Sequence, residues 1–362
     1  MKIKDDCGVW IDDHKLIADK FITDFNQRYL STHRNPRVLP DLGLSKLITD
    51  LDNDELIKLP NLEEVRTALF SIDSFKTPGP DGFGAGFFKN YWHIIKKDLF
   101  NGVFEFFTNC KMLKEINHTF ITLIPKVPNP LKTNHYRPIS LCSTIYKTIS
   151  KILVNRLRPL LEKLISPFQS AFIPGRSIHD NILLTHEIMH KFKNLKTKTS
   201  WVAVKLDMEK AYDRLEWDFI YKCLHELGFH PKWIAWVTEC ISSVSYSLLV
   251  NGEPNGFIKP TRGIRQGDPL SPYLFLLCME VLTQRILTEI NGPKSGLGVK
   301  ISPRDTKIPC LLFADDCLLF TKANSASCNK LKSILDIFCS TSGQLINYHK
   351  SILTFSRNAT LH

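Results

Sequence analysis

Two adjacent carboxylates, Asp315 and Asp316, stand in the run KIPCLLFADDCLLFTK at residues 307–322, between the apolar segments 310–313 and 317–320. Each segment is short and apolar enough to be a strand, which puts the acidic pair at the turn of a hairpin. Like charges beside buried strands are costly unless a cation sits there, and a pair of divalent metal ions is the simplest such partner. The plain alternative is a solvated turn, since Asp-Asp also occurs at 5–6 and 12–13 in polar surroundings. A third carboxylate has a comparable setting. Residues 201–206, WVAVKL, read as a strand that ends at Asp207, and the C-terminal end of a strand is where a ligand can project beyond a sheet.

Other residues suit a phosphate-rich substrate. Residues 120–126, FITLIPK, read as a strand with Lys126 at its end, and YRPISL at 136–141 begins a second extended piece because Pro138 excludes helix before it. Such a hairpin holds Lys126 near Arg137, and the two could grip a triphosphate, Arg as a bidentate fork and Lys as a point charge. Tyr212 stands at the start of a helix expected over 209–227; its ring packs either under a sugar or in the core. Asp213 is expected to cap or pair locally. In RGIRQGDPLSP, residues 262–272, two glycines permit close backbone approach. Pro269 starts an apolar helix over 270–290 whose N-terminus, with Gln266, would face whatever lies over the sheet.

One motif points elsewhere. Residues 186–190 read HEIMH, the H-E-x-x-H signature of zinc peptidases, with His186 and His190 as ligands, Glu187 as base and Glu209 as a conceivable third ligand. The same helix is expected to bury Ile182, Leu183 and Ile188, and short motifs recur by chance.

The elements that must position these groups follow from periodicity. Residues 1–60 read as an amphipathic helix and then a loop broken at 34–40. A helix over 62–75 ends at TPGPDG, residues 77–82, a rigid turn. Residues 83–107 are helical, with Phe87, Tyr91, Trp92, Ile95, Leu99, Val103 and Phe106 on one side, expected in the core. A helix over 145–164 turns Ile145, Ile149, Ile152, Leu153 and Leu157 inward and Lys147, Lys151 and Arg158 to another face, suited to a phosphate backbone. A hairpin is expected around Asn251-Gly252, a helix over 328–340 and a last strand over 351–355.

The net charge of +11 is unevenly placed: residues 111–200 hold 15 Lys and Arg against 4 Asp and Glu, and the remainder balances at 32 against 32. A basic lobe beside a balanced one with acidic centres suggests a polyanion bound on one side and worked on by the other. No apolar stretch is long enough to span a bilayer and the N-terminus lacks a signal-peptide core, so a nuclear or cytoplasmic, unsecreted protein is expected. The ten cysteines sit singly, which fits buried reduced thiols. Taken together, three carboxylates suffice to hold two divalent cations roughly 4 Å apart, one activating a 3′-hydroxyl and one steadying a triphosphate. This is the chemistry of a polymerase.

The chain also resembles the reverse transcriptases of LINE-type (non-LTR) retrotransposons, especially those of plants, over nearly its whole length. The resemblance is carried by TPGPDG at 77–82, LIPK at 123–126, YRPISLC at 136–142, FIPGRSIHDN at 172–181, LDMEKAYD at 206–213, GIRQGDPLSP at 263–272, FADD at 313–316 and SGQLINYHK at 342–350. It implies an α+β right-hand polymerase fold: an N-terminal helical extension over 1–60, a basic fingers-like region over 61–198, a palm with the carboxylates over 199–356 and a tail over 357–362. It also implies an RNA-directed DNA polymerase that uses two Mg2+ or Mn2+ ions, an RNA template, a DNA primer and dNTP. Carried over by position, Asp207, Asp315 and Asp316 are the metal-binding carboxylates, and Tyr212 is the gate against a ribose 2′-hydroxyl. Gln266 and Gly267 line the nucleotide pocket, Lys126 and Arg137 contact the triphosphate, and Lys350 protonates pyrophosphate. Such elements carry an upstream endonuclease and a downstream thumb. Neither is visible in this chain, so the thumb is expected to be missing or truncated, and an inactive nucleic-acid-binding remnant is the alternative reading.

Overall fold

The computed structural model describes residues 2–5, 7–33, 37–290, 292, 295–302 and 304–359; part of the break expected at 34–40 and of the tail therefore lies outside the described residues. Apolar and β-branched residues favour a pleated, packed surface, and WVAVKL forms the strand Trp201–Leu206 inside a four-stranded sheet. Its neighbours are Asp316–Lys322 on one side and Ile352–Phe355 on the other, with Cys310–Phe313 beyond, and every pairing is antiparallel. Because side chains alternate between faces, Ala203, Leu311 and Phe320 pack on Ile188 and Phe192 of the helix Ile178–Asn194. Leu206, Cys317 and Leu319 face the other way into the main core, which holds Phe275 of the helix Ser271–Ile290 and Phe338 of the helix Ser325–Ser342.

A second sheet runs in the order Tyr136–Leu141, His118–Pro125, Ser245–Val250, Glu253–Ile258. Its central pair, His118–Pro125 with Ser245–Val250, is parallel. Parallel neighbours need a crossover, and this crossover contains the strand Trp201–Leu206, so the two sheets are interleaved along the chain. The helix His14–Tyr29, capped by Asp13, lays Ile17, Phe21, Phe25 and Tyr29 over Ile121, Leu123, Tyr136 and Tyr246 of the second sheet.

The expected hairpins stand, at Cys310–Phe313 with Asp316–Lys322 and at Ser245–Val250 with Glu253–Ile258. Several helices differ. The one expected over 209–227 is two, Ala211–Arg214 and Trp217–Leu227, because Lys210 takes left-handed backbone (φ 50°) and Leu215 and Glu216 are extended. The segment 83–107 is likewise split into Ala85–Asn90 and Trp92–Asn109, and Phe87 and Tyr91 are exposed while Leu99, Val103 and Phe106 are buried. The helix Thr144–Leu157 ends in a 3-10 turn at Arg158–Leu160 before a last helical turn, Leu161–Leu164. On it, Lys147 is buried and donates to the Thr77 carbonyl at 2.9 Å, so it holds the TPGPDG turn in place. Ile182 and Leu183, expected in the core, are exposed because the face of their helix that packs on the sheet carries Ile188 and Phe192, with Leu184 and Met189 partly buried beside them. The helix Pro231–Ser242, with Trp233 and Trp236 fully buried, carries no signal noted in the sequence. The ten cysteines are unpaired and six are buried.

A buried polar layer ties the RQGDP segment to its neighbouring elements. Arg265 is buried, donates to Asn117 Oδ1 at 2.7 Å and to the Cys240 carbonyl at 2.9 Å, and lies 3.7 Å over the ring of Tyr146. Asp268 accepts from the Tyr146 hydroxyl at 2.9 Å, the Ser150 hydroxyl at 2.6 Å, the Leu270 amide and the Ser271 hydroxyl, each at 3.1 Å. The positive charge of Arg265 acts on the same carboxylate. Asp268→Ala strands those donors and leaves Arg265 buried without its counter-charge, and is expected to lower stability by about 3–5 kcal/mol. The check is a lower urea midpoint at unchanged m-value; an unchanged midpoint refutes it.

Candidate active site

Antiparallel register brings the two acidic segments together. Leu206 lies opposite Cys317 and Phe313 opposite Asp316, so Asp207, the next residue along its strand, comes out beside Asp315 and Asp316. The Asp207 backbone is held by the segment that follows the helix Ser325–Ser342: its amide donates to the Ser351 hydroxyl at 3.2 Å, and its carbonyl accepts from the Asn347 amide at 2.8 Å. Asp315 feels both neighbours. Burial pushes its pKa up, the charges of Asp316 and Asp207 push it further, and Arg137 pulls it back. As whole residues Asp315 and Asp316 are exposed at the hairpin turn and Asp207 is half-buried, although the Asp315 carboxyl itself is partly desolvated. Among the described residues no group of three His, Cys, Asp or Glu side chains is already set in metal-ligand geometry. The donor chemistry, three carboxylates from two strand ends, nevertheless fits hard divalent cations, and an ion there would offset the repulsion that Asp315 experiences.

The other expected residues gather around this end of the sheet. Tyr212 is half-buried, its ring stacked on Phe275 at 4.9 Å and 13°. Burial raises its hydroxyl pKa and the charge of Asp315 adds to the rise, so its environment is both packed and next to the carboxylates. Lys126 sits at the end of its hairpin, diagonal to Arg137. Burial lowers its pKa, as do the nearby cations Arg28, Arg137 and Lys350, against the pull of Asp213. Lys350 is exposed. The Gln266 carbonyl accepts from the Ser140 amide at 2.7 Å. Gly267, at φ +112°, lets this loop approach the hairpin, since a Cβ there would lie 3.0 Å from the Ser140 carbonyl oxygen.

Two expectations fail here. Asp213 does not cap or pair locally: it is buried, 3.6 Å from Arg28 of the helix His14–Tyr29, and accepts from Gln266 Nε2 at 3.0 Å. The N-terminus of the helix Ser271–Ile290 does not face a ligand either, because Asp268 and the Ser150 hydroxyl already take the Leu270 amide.

Residues 124–359 match the family model described as reverse transcriptase (RNA-dependent DNA polymerase). The chain belongs to the reverse transcriptase family. It is similar to the transposon TX1 149 kDa protein of Xenopus laevis, 26% identical over 95% of this chain and 26% of that protein. It is 28% identical to the Pol polyprotein of the type-2 retrotransposable element R2DM of Drosophila melanogaster, over 80% of this chain and 25% of that polyprotein. It is 30% identical to the Pol polyprotein of the type-1 retrotransposable element R2 of Popillia japonica, over 64% of this chain and 31% of that polyprotein. The chain thus spans roughly a quarter to a third of the length of these relatives. As a member of this family the chain has the right-hand polymerase fold, and the family generally uses divalent metal ions.

The acidic turn of this reverse transcriptase is held by a residue that its sequence pattern does not single out. Ala314 sits in left-handed backbone at φ 55°, unfavourable for a residue with a Cβ. Gln169, 1% exposed, stabilises it by accepting from the Ala314 amide at 3.0 Å through Oε1 while its Nε2 reaches the Ala314 carbonyl at 3.4 Å. Arg176 in turn donates to the carbonyls of Ser166, Gln169 and Ile165, and Asn181 donates to the Leu312 carbonyl at 2.9 Å. The segment 169–181 is a brace for the hairpin; an uncharged Gln in a loop gives no sign of this before the turn it meets is known.

The zinc-peptidase motif is not assembled. His186, Glu187 and His190 are exposed on the helix Ile178–Asn194, His190 contacts Asn194, and Glu209 pairs with Lys210 at 3.6 Å. No three-ligand group forms around them among the described residues.

The raised pKa of Asp315 has a signed consequence. Between the ordinary carboxylate pKa and the raised folded value the folded state binds more protons than the unfolded one, so stability falls as pH rises through that window. Asp315→Asn removes the penalty and is expected to raise the melting temperature at pH 7, without divalent ions, by roughly 1–3 °C, the difference closing below about pH 3.8. A variant less stable than the parent at pH 7 contradicts this.

Proposed function

We propose that this chain is the polymerase part of a non-LTR retrotransposon protein, an RNA-directed DNA polymerase that joins a dNTP to a primer 3′-hydroxyl on an RNA template. The observation that carries the reading is the strand register that sets Asp207 beside the Asp315–Asp316 turn, with Tyr212 and, from the second sheet, Arg137 near Asp315, and Lys126 near Arg137. The basic region over 61–198 acts as fingers and the segment 199–356 as palm. The partners are the RNA template, the DNA primer and the rest of a longer polyprotein with its endonuclease and thumb, acting in the nucleus or cytoplasm.

The side chains divide the work. Asp207, Asp315 and Asp316 would hold two divalent ions, Mg2+ or Mn2+, whose chemistry when bound would be to acidify the primer hydroxyl and offset charge on the triphosphate. Arg137 and Lys126 bind the outer phosphates and set the nucleotide in line with the primer end. Tyr212, fixed by its stack on Phe275, lies under the sugar and leaves no room for a 2′-hydroxyl. Gln266 and Gly267 form the wall against which the nucleotide rests. Lys350 donates a proton to the departing pyrophosphate.

Primer extension on an RNA template with Mg2+ and dNTPs tests the proposal. Asp207→Asn and Asp315→Asn are each expected to reduce extension by about 10³-fold or more while leaving template binding intact, and Tyr212→Ala to admit ribonucleotides. Template binding without extension by the parent chain identifies it as an inactive remnant. Extension that survives Asp207→Asn refutes the site.

A further inference from the structure

Asp213 is 2% exposed, and an isolated carboxylate so placed would be strongly unfavourable. Its partners come from opposite ends of the chain. Arg28 Nη1 lies 3.6 Å away, the two side chains being 5% and 2% exposed, and Gln266 Nε2 donates to its other oxygen at 3.0 Å. Arg28 is itself anchored. Its guanidinium lies 3.9 Å over the Phe25 ring, and its carbonyl accepts from Nε and Nη2 of Arg262 at 3.2 and 3.1 Å. The Thr261 amide donates to the Tyr29 carbonyl at 2.9 Å. The end of the helix His14–Tyr29 is therefore locked to the segment that leads into Gln266.

The chemistry fixes the sense of the contact. Burial pushes the Asp213 pKa up, and the Arg28 guanidinium and the Gln266 hydrogen bond favour the ionised form against it; an ionised carboxylate only accepts hydrogen bonds, so Gln266 turns its NH2 group to Asp213 and its oxygen the other way. The Gln266 backbone is held independently by Ser140, which leaves the side-chain rotamer as the part that Asp213 controls. We propose that Asp213, clamped by Arg28 of the N-terminal helix, is a positioning residue for the nucleotide pocket: it fixes the Gln266 amide so that an acceptor oxygen, and not a donor NH2, meets the incoming nucleotide. The inference rests on the polymerase reading of Gln266. It makes the helix His14–Tyr29 a part of the nucleotide site although none of its side chains need touch substrate. The same carboxylate attracts Lys126 and Lys210, so pairing with Arg28 also keeps Asp213 from drawing Lys126 away from phosphate.

Two neutral double variants isolate the amide contact. Arg28→Met with Asp213→Asn removes both buried charges but keeps an acceptor for Gln266; Arg28→Met with Asp213→Val removes the acceptor as well. In primer extension with dNTP varied, the Asn double is expected to keep KM within about threefold of the parent. The Val double is expected to raise KM about tenfold with kcat changed far less. A pair that serves stability alone would lower the melting temperature of both doubles and leave their KM values alike, and that result overturns the inference. The single variants Asp213→Asn and Asp213→Val give a reading that does not depend on the doubles folding: KM held in the Asn variant and raised about tenfold in the Val variant supports the proposal, and KM alike in the two overturns it. A parent chain that extends no primer removes the polymerase reading and this inference with it, whereas an active parent with equal doubles removes the inference alone.

Discussion

The site depends on one set of hydrogen bonds, the antiparallel ladder between Trp201–Leu206 and Asp316–Lys322. Side chains in a strand alternate with period two, so a slip of one residue would turn Asp207 to the opposite face and move it away from the acidic turn. What prevents the slip is burial on both sides of the sheet: Ala203 and Phe320 against one helix layer, Leu206, Cys317 and Leu319 against the other. The grouping of the carboxylates is in this sense a by-product of hydrophobic register. The repulsion felt by Asp315 is tolerated because the packing beneath it cannot rearrange.

Around that ladder the protein invests its buried polar groups in loops. Gln169 holds a left-handed turn, Asp268 ties four donors at the start of the helix Ser271–Ile290, and Arg265 bridges Asn117 to the Cys240 carbonyl. In the Arg-Gln-Gly-Asp run the charged residues at either side are structural and inward, and the uncharged Gln266 and Gly267 lie between them against Asp213 and Ser140. The buried charges are hydrogen-bonded where they lie, which is what allows this irregular backbone to be rigid.

Much of this was legible before any coordinates. Apolar runs ending in carboxylates announce strand ends, Pro138 announces an extended piece, and Asn251-Gly252 announces a hairpin; these signals are local, and local signals survive folding. The failures are non-local. Asp213 looks like a capping residue until Arg28 arrives from the N-terminal helix, Lys147 looks like a surface cation until the TPGPDG turn closes over it, and Gln169 has no character of its own until the Ala314 turn meets it. Phe87, Tyr91, Ile182 and Leu183 fail for the opposite reason: their spacing is helical and apolar, yet the layer needed to bury them is not opposite them. The interleaving of the two sheets by a long parallel crossover leaves no mark on local periodicity at all.

The central claim is that strand register, and nothing more specific, brings Asp207 and Asp315 close enough to share cations. Anomalous scattering at the manganese edge, from crystals grown with Mn2+, primer, template and a non-hydrolysable dNTP, reads this directly. The account predicts manganese bound jointly by carboxylate oxygens of Asp207 and Asp315. Manganese bound elsewhere, or held by the acidic turn with Asp207 facing away from it, would contradict the account.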